Sequence, residues 1–344
     1  MQYSKPHTRM KKRLVLAVAV GLLLSAAGCT GPRARLGYIP TATFGVPFPD
    51  PEDIGSHSFN YSPFESGGIV YTCRAGHLDI DHIRGNADQT RYRVEQMRKL
   101  LTDRVEQFSF SLAGETSTHW ITLTYPDDWD SRPDKAAVIE EIAYTAGPYF
   151  VYTATVWHEI LTWYGVHFMG IEPEFNSAFS WEDLYSNLLG IHLSLEAQRD
   201  PEHGYNKAMT LALERALQRL EVQSGKTAKA ASDSVRGQWY TGNLVPDMKM
   251  RNFDIGLDGS VTPVLIPDVA ACPSPEPAPL EVPTLDVLKQ FGLTVTYQIK
   301  PNVFEQGAIY RDAGEKQIFP EKHFPILLEA MKQQAAEKGY RYTE

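Results

Sequence analysis

Two short stretches place ionisable side chains inside apolar surroundings. In the first, Asp79, Asp81, His82 and Arg84 fall within six residues, and in the second Trp157-His158-Glu159 lies in the middle of a long apolar run. Burying His beside Glu is costly unless the pair is hydrogen-bonded, ion-paired or metal-bound. Adjacent helical residues point about 100° apart, so His158 could ligate a metal ion while Glu159 activates water at the same ion. That is the logic of H-E-x-x-H, but the position four after His158 is Thr162. A standard zincin is therefore not supported, and the other ligands must come from elsewhere. The best donors are His82 and Asp79, then Asp183, enough in kind for one divalent ion, zinc first, with Glu159 as general base. Two other readings stand beside this one. His158 and Glu159 can belong to a buried network with Arg84 and Asp79 that only fixes the fold, or they can do acid–base work without metal.

The remaining candidates have ordinary explanations. Asp183 lies three residues after Ser180, as in a capping box, and Asn187 follows on the same face. His77 and Asp81 form an i,i+4 pair if that stretch is helical, and His167 and His192 are isolated. Ser177-Ala178-Phe179-Ser180 lacks the G-x-S-x-G elbow, and nothing marks Cys73 as a nucleophile.

The elements that must position these groups are mainly helical. Periodicity predicts a helix over Ala87 to Gln107, a strand over His119 to Tyr125, and a helix from Pro133 to Tyr144. Gly147-Pro148 is expected to break that helix before a second, apolar one over Tyr149 to Tyr164, closed by Gly165. Further helices are expected from Ser180 to Arg199 and over 205–224. The whole reads as α+β: an extended aromatic leader (29–65), a central mainly α-helical domain with small peripheral β elements (66–262), a Pro-rich connector (263–283) and a short C-terminal βα element (284–344). In the last, a strand is expected over Leu293 to Ile299 and a helix over Pro325 to Lys338.

The chain has 344 residues, a net charge of −9 and 43% hydrophobic residues, a composition that disfavours wholesale disorder and offers nothing to nucleic acid. Its charge is unevenly placed. Residues 1–28 carry five basic residues and no acid, so their removal takes the net charge from −9 to −14. Lys11-Lys12-Arg13 leads into the apolar run Leu14 to Leu24, too short to span a bilayer and right for a signal peptide. Ser25-Ala26-Ala27-Gly28-Cys29 then resembles a lipobox, which predicts acylation of Cys29 and a membrane anchor. Thr30 in place of Asp points to the outer membrane, with the protein facing the periplasm and meeting an envelope substrate or protein partner. Cys73 and Cys272 then remain, either as a disulfide or as two buried thiols.

Several of these stretches together resemble a bacterial lipoprotein family of unknown function, catalogued as domain of unknown function 4056. They are Tyr71-Thr72-Cys73-Arg74-Ala75-Gly76-His77-Leu78-Asp79 with His82-Ile83-Arg84 and Ala87-Asp88, Trp157-His158-Glu159 with Trp163-Tyr164-Gly165, Ser177-Ala178-Phe179-Ser180, and Glu182-Asp183-Leu184-Tyr185-Ser186-Asn187-Leu188-Leu189-Gly190. The resemblance covers roughly 50–255. It implies Asp79, His82, Arg84, Asp88, His158, Glu159, Asp183 and Asn187 as pattern residues, with Trp163 and Tyr164 in support, and sets His77 and Asp81 aside. The family brings no activity. The expectations are a metal-dependent hydrolase or, alternatively, a non-catalytic envelope lipoprotein with a structural polar network and a partner-binding role.

Overall fold

The computed structural model describes residues 31–343 except 36, 44, 64, 113–114, 166, 169–171 and 244–245. Cys29 and the signal segment lie outside the described residues. Among the described residues no helix is long and apolar enough to cross a membrane.

The fold is α+β and mainly helical, with small sheets, as the periodicity leads one to expect. A short antiparallel hairpin, β1 (Ile69–Thr72) and β2 (Gly76–Asp79), leads without a loop into α1 (Ile80–Thr102). The helix thus starts seven residues earlier than its apolar period suggests, because the Asp79 side chain caps it by accepting from the N–H groups of Asp81 and His82. It also ends earlier. Gln107 belongs to β3 (Gln107–Phe110), which pairs with β4 (Thr118–Thr124).

The expected break at Gly147-Pro148 is absent, since α2 runs unbroken from Lys135 to Trp163. Proline removes one helical hydrogen bond, but Val138, Ile142, Ala146, Phe150 and Ala154 are all buried on both sides of it, and that packing outweighs the local loss. At Gly147 α2 comes close to α1: a Cβ there would fall 2.8 Å from a Val94 methyl and 3.0 Å from its backbone nitrogen. The next helices, α3 (Asp183–Gln198), α4 (Tyr205–Arg219) and α5 (Gly225–Ser234), complete the helical body, and α3 packs closely against α1. Small two-stranded pairs follow the body. Strands β5 (His167–Phe168) and β6 (Glu172–Pro173) pair with each other, as do β8 (Ser260–Val261) and β9 (Leu280–Glu281), while β7 (Met250–Asn252) pairs further on.

The C-terminal strand and helix form as expected, with the helix starting earlier. Here β10 (Thr294–Lys300) adds to the far edge of β4, giving the antiparallel order β10-β4-β3, so residues 284–344 share a sheet with the body. After α6 (Gln306–Ala313) and α7 (Pro320–Glu337), β11 (Arg341–Thr343) lies parallel to β7.

A second, smaller core gathers Tyr71, Trp181, Trp239 and Tyr240 around a disulfide between Cys73 and Cys272, whose Cα atoms are 5.3 Å apart. The bond closes a loop of 199 residues, so its removal is expected to cost about 2–4 kcal/mol by releasing chain entropy to the unfolded state. Denaturant midpoints for wild type and Cys272→Ser should differ accordingly. Equal midpoints, or free thiols at both positions on alkylation of the oxidised protein, would rule the cross-link out.

Candidate functional site

Helices α1 and α2 are antiparallel, and each presents a stripe with helical spacing to the same cleft. On α1 the stripe is His82, Asn86, Gln89 and Arg93; on α2 it is Val151, Thr155, His158 and Thr162, with Glu159 beside it. The start of α3 contributes Asp183 and Asn187, and the leader residues Arg33, Ala34, Arg35, Gly37, Tyr38 and Ile39 form another wall. The cavity measures about 320 Å³. Asn86 ties the three helices together: its amide donates to Asn187 Oδ1 at 2.5 Å, and its carbonyl oxygen accepts from Thr155 Oγ1 at 2.9 Å.

His82 is the centre of charge. Its Nδ1 lies 3.0 Å from Asp183 Oδ1 and 3.7 Å from Asp79 Oδ2, and 28% of its side chain is exposed. Gly37 of the leader lies against the other side of the ring, where a Cβ would come within 2.1 Å of Nε2. Burial works against the charged ring, yet the charge of Asp79 and the hydrogen bond and charge of Asp183 outweigh it and hold His82 well above its ordinary range. The carboxyls around it move the other way. Burial, reinforced by the Asp183 charge, pushes Glu159 up to about 7 and lifts Glu182 well above its usual range. Asp79 is pushed up to about 6, again by burial first. One imidazolium therefore stands among four carboxyls, three of which are biased toward keeping a proton.

Glu159 is 5% exposed and borders the cleft. Its Oε2 accepts the N–H of Phe179 at 2.6 Å. Phe179 has φ of +54°, a left-handed conformation that costs a bulky residue about 1–2 kcal/mol, so Glu159 also pins the turn from which Asp183 projects. Asp183 does what a capping carboxylate does, accepting the Ser180 N–H at Oδ2 (3.1 Å), while its other oxygen faces His82. Its structural and electrostatic roles coexist because a carboxylate has two oxygens.

His82, His158, Glu159, Asp183 and Asn187 thus share the cleft. His158 is 41% exposed at its side chain and its Nδ1 lies 2.6 Å from Glu115 Oε1, a partner the sequence reading missed. Asp79 stands behind His82, with its oxygens occupied by the N–H groups of Asp81, His82 and Tyr38. The other supporting residues lie elsewhere. Arg84 donates to the carbonyls of Ser66, Ile54 and Gly55, and Asp88 takes Arg35 at 2.9 Å and lies 3.2 Å from His57; both fasten the leader. Trp163 donates to Gln334 and Tyr164 to Asp312, which docks α6 and α7. Of the pair set aside, Asp81 reaches the cleft and accepts from Gly68, whereas His77 is buried between Ala228 O and the Trp181 indole.

The expected zinc centre does not fit this arrangement. Among the described residues no three His, Cys, Asp or Glu side chains are disposed to hold a metal ion. The physical reason is that the donors have other partners: His82 Nδ1 faces Asp183 with Nε2 under Gly37, His158 faces Glu115, and Asp79 caps a helix.

Sequence reasoning also missed Arg93, Glu182 and the leader wall. The i, i+4, i+7, i+11 spacing of His82, Asn86, Gln89 and Arg93 is a polar stripe that would have found the first. A family model described as protein of unknown function (DUF4056) matches residues 48–264. No curated protein and no solved structure matches the chain.

Proposed function

Because the chain belongs to the DUF4056 family, whose function is unknown, we propose a function from the cleft itself: metal-free acid–base cleavage of an envelope substrate by a lipoprotein anchored through Cys29. The observation that carries it is the meeting, on one cleft, of Glu159, poised near 7, with the His82–Asp183 ion pair. A general base works best with a pKa near the ambient pH, and a fixed imidazolium offers positive charge where a transition state becomes negative. In the reaction Glu159 takes a proton from water as the oxygen attacks the scissile centre. The same proton then passes to the leaving group. Asn86 holds α1 to α3 through Asn187 and to α2 through Thr155, so that His82, Asp183 and Glu159 keep their places.

The alternative, a structural network serving a partner-binding protein, draws on the Glu159 bond to Phe179 N–H. Glu159→Gln separates the two. A glutamine oxygen still accepts that N–H, so the turn survives. The folded carboxyl at about 7 lies above its ordinary 4.5, so the stabilisation is full below about pH 4 and is lost as pH rises through 7. At pH 8 the variant should therefore melt above wild type, by on the order of 3 kcal/mol, and at about pH 4 the two should agree. A lower melt at both pH values supports the structural reading instead.

Activity is sought by incubating the protein with purified peptidoglycan sacculi, phospholipid vesicles and unfolded casein. Product should be released from one of them, in the presence of EDTA, about 100-fold or more slowly with Glu159→Gln. Release from none of the three, or equal rates for the variant, would remove the enzyme reading.

A further inference from the structure

Three turns along α1 from His82, about 16 Å by helical rise, the same cleft contains a cation with no counter-ion among the described residues. Arg93 is 4% exposed and borders the cavity, yet no carboxylate among the described residues lies within 4.0 Å of it. Its Nη1 donates to the neutral Gln96, and its Nε finds no acceptor among the described residues. The other arginines on the cleft differ. Arg35 is fully engaged by Glu65, Asp88 and the Ser58 carbonyl, and Arg33 is exposed. A buried, unpaired guanidinium is costly to keep, and this one stays charged, since burial lowers it only to about 10.

The guanidinium is also held rigidly. It lies 3.7 Å from the centre of the Phe110 ring, and Phe110 in turn stacks on His119 at 4.8 Å with the planes 8° apart. His119 bonds the Tyr297 hydroxyl at 2.7 Å, and burial and the Arg93 charge push it down to about 3, so it is neutral. The stack satisfies the face of the guanidinium and leaves its edge for an acceptor. Planar edge donors of this kind match the two oxygens of a carboxylate or phosphate.

We propose that the cleft binds a substrate through an anionic group, a carboxylate or a phosphate, received by Arg93, while the bond to be cleaved lies beside Glu159. This rests on the acid–base reading of the cleft and adds the substrate's chemical class. A ligand that bridges both ends must extend over a length comparable to three helical turns, which excludes small isolated anions as substrates. They remain good probes of the Arg93 end.

The test titrates the protein with inorganic phosphate and, separately, with acetate at constant ionic strength in chloride, following both the melting temperature and the Arg93 Nε–H resonance. One anion should raise the melting temperature saturably and shift that resonance, the responding anion telling phosphate from carboxylate. Arg93→Gln should bind at least 10-fold more weakly, and Glu159→Gln should bind like wild type. Where Arg93→Gln does not fold, the resonance in wild type decides alone. A resonance unmoved by both anions, or equal affinity in a folded Arg93→Gln, overturns the proposal. Anion binding that survives in an inactive protein removes only the acid–base reading, whereas turnover without anion binding removes only the Arg93 assignment.

Discussion

Gly190→Ala should abolish the folded state. Gly190 sits where α3 crosses α1, and a Cβ there would fall 2.1 Å from the Ile83 carbonyl oxygen and 2.9 Å from Ile83 C and Cα. These are backbone atoms of a helix, so no side-chain rotation relieves the clash, and the two helices must separate. Overpacking typically costs about 1–3 kcal/mol where side chains can shift, and more is expected where they cannot. Loosening this crossing also moves His82 away from Asp183, since each lies within two turns of the contact. Soluble yield and circular dichroism of the alanine variant provide the check. A cooperative melt within about 1 kcal/mol of wild type would show that the helices tolerate a methyl group between them.

Arg84→Met is the second large effect expected, and it concerns the leader. The Arg84 side chain is 1% exposed and donates to the carbonyls of Ser66 (3.0 Å), Ile54 (3.0 Å) and Gly55 (2.7 Å). Methionine fills much of the volume but leaves those three carbonyls without their donor and takes one of two guanidinium groups from beside Glu65, which keeps Arg35. The loss should be about 3–5 kcal/mol, since each buried acceptor left unmade costs about 1–3 kcal/mol. Because Glu65 also holds Arg35, the leader should release from the cleft wall before the helices melt. Limited proteolysis is expected to cut first between residues 33 and 66. A variant as protease-resistant as wild type would show that Arg84 is dispensable for the leader.

Much of the helical body was legible in the sequence because burial imposes a 3.6-residue period, as along Val138, Ile142, Ala146 and Phe150. That His82, His158, Glu159 and Asp183 need partners was legible for a related reason, since polar groups in apolar runs must meet something, but whether they meet one another was not. What they meet was not legible. Glu115 comes from the β3–β4 connection and Gly37 from the leader, and neither contact leaves a periodic trace. Arg84 reads as a site residue by proximity to His82, but two positions further along a helix is about 200° around it, which turns its side chain to the leader instead. At Pro148 a local rule lost to tertiary packing, and at Asp79 the rule that lost was the apolar period, which does not mark a helix start set by a capping carboxylate.

The leader has one more consequence, which concerns height above a bilayer. Arg35 is fixed to Asp88 and Glu65, and it lies only six positions after Cys29. A chain of that length spans at most about 20 Å. With Cys29 acylated as proposed, the cleft mouth is tethered within that distance of the lipid surface, and the tether is itself part of the cleft wall. Molecules confined to the membrane plane then pass the mouth at a fixed height and raised local concentration. Bulk polymers must instead enter a narrow gap beneath an acidic body, so lipid-borne substrates have the shorter route to Glu159.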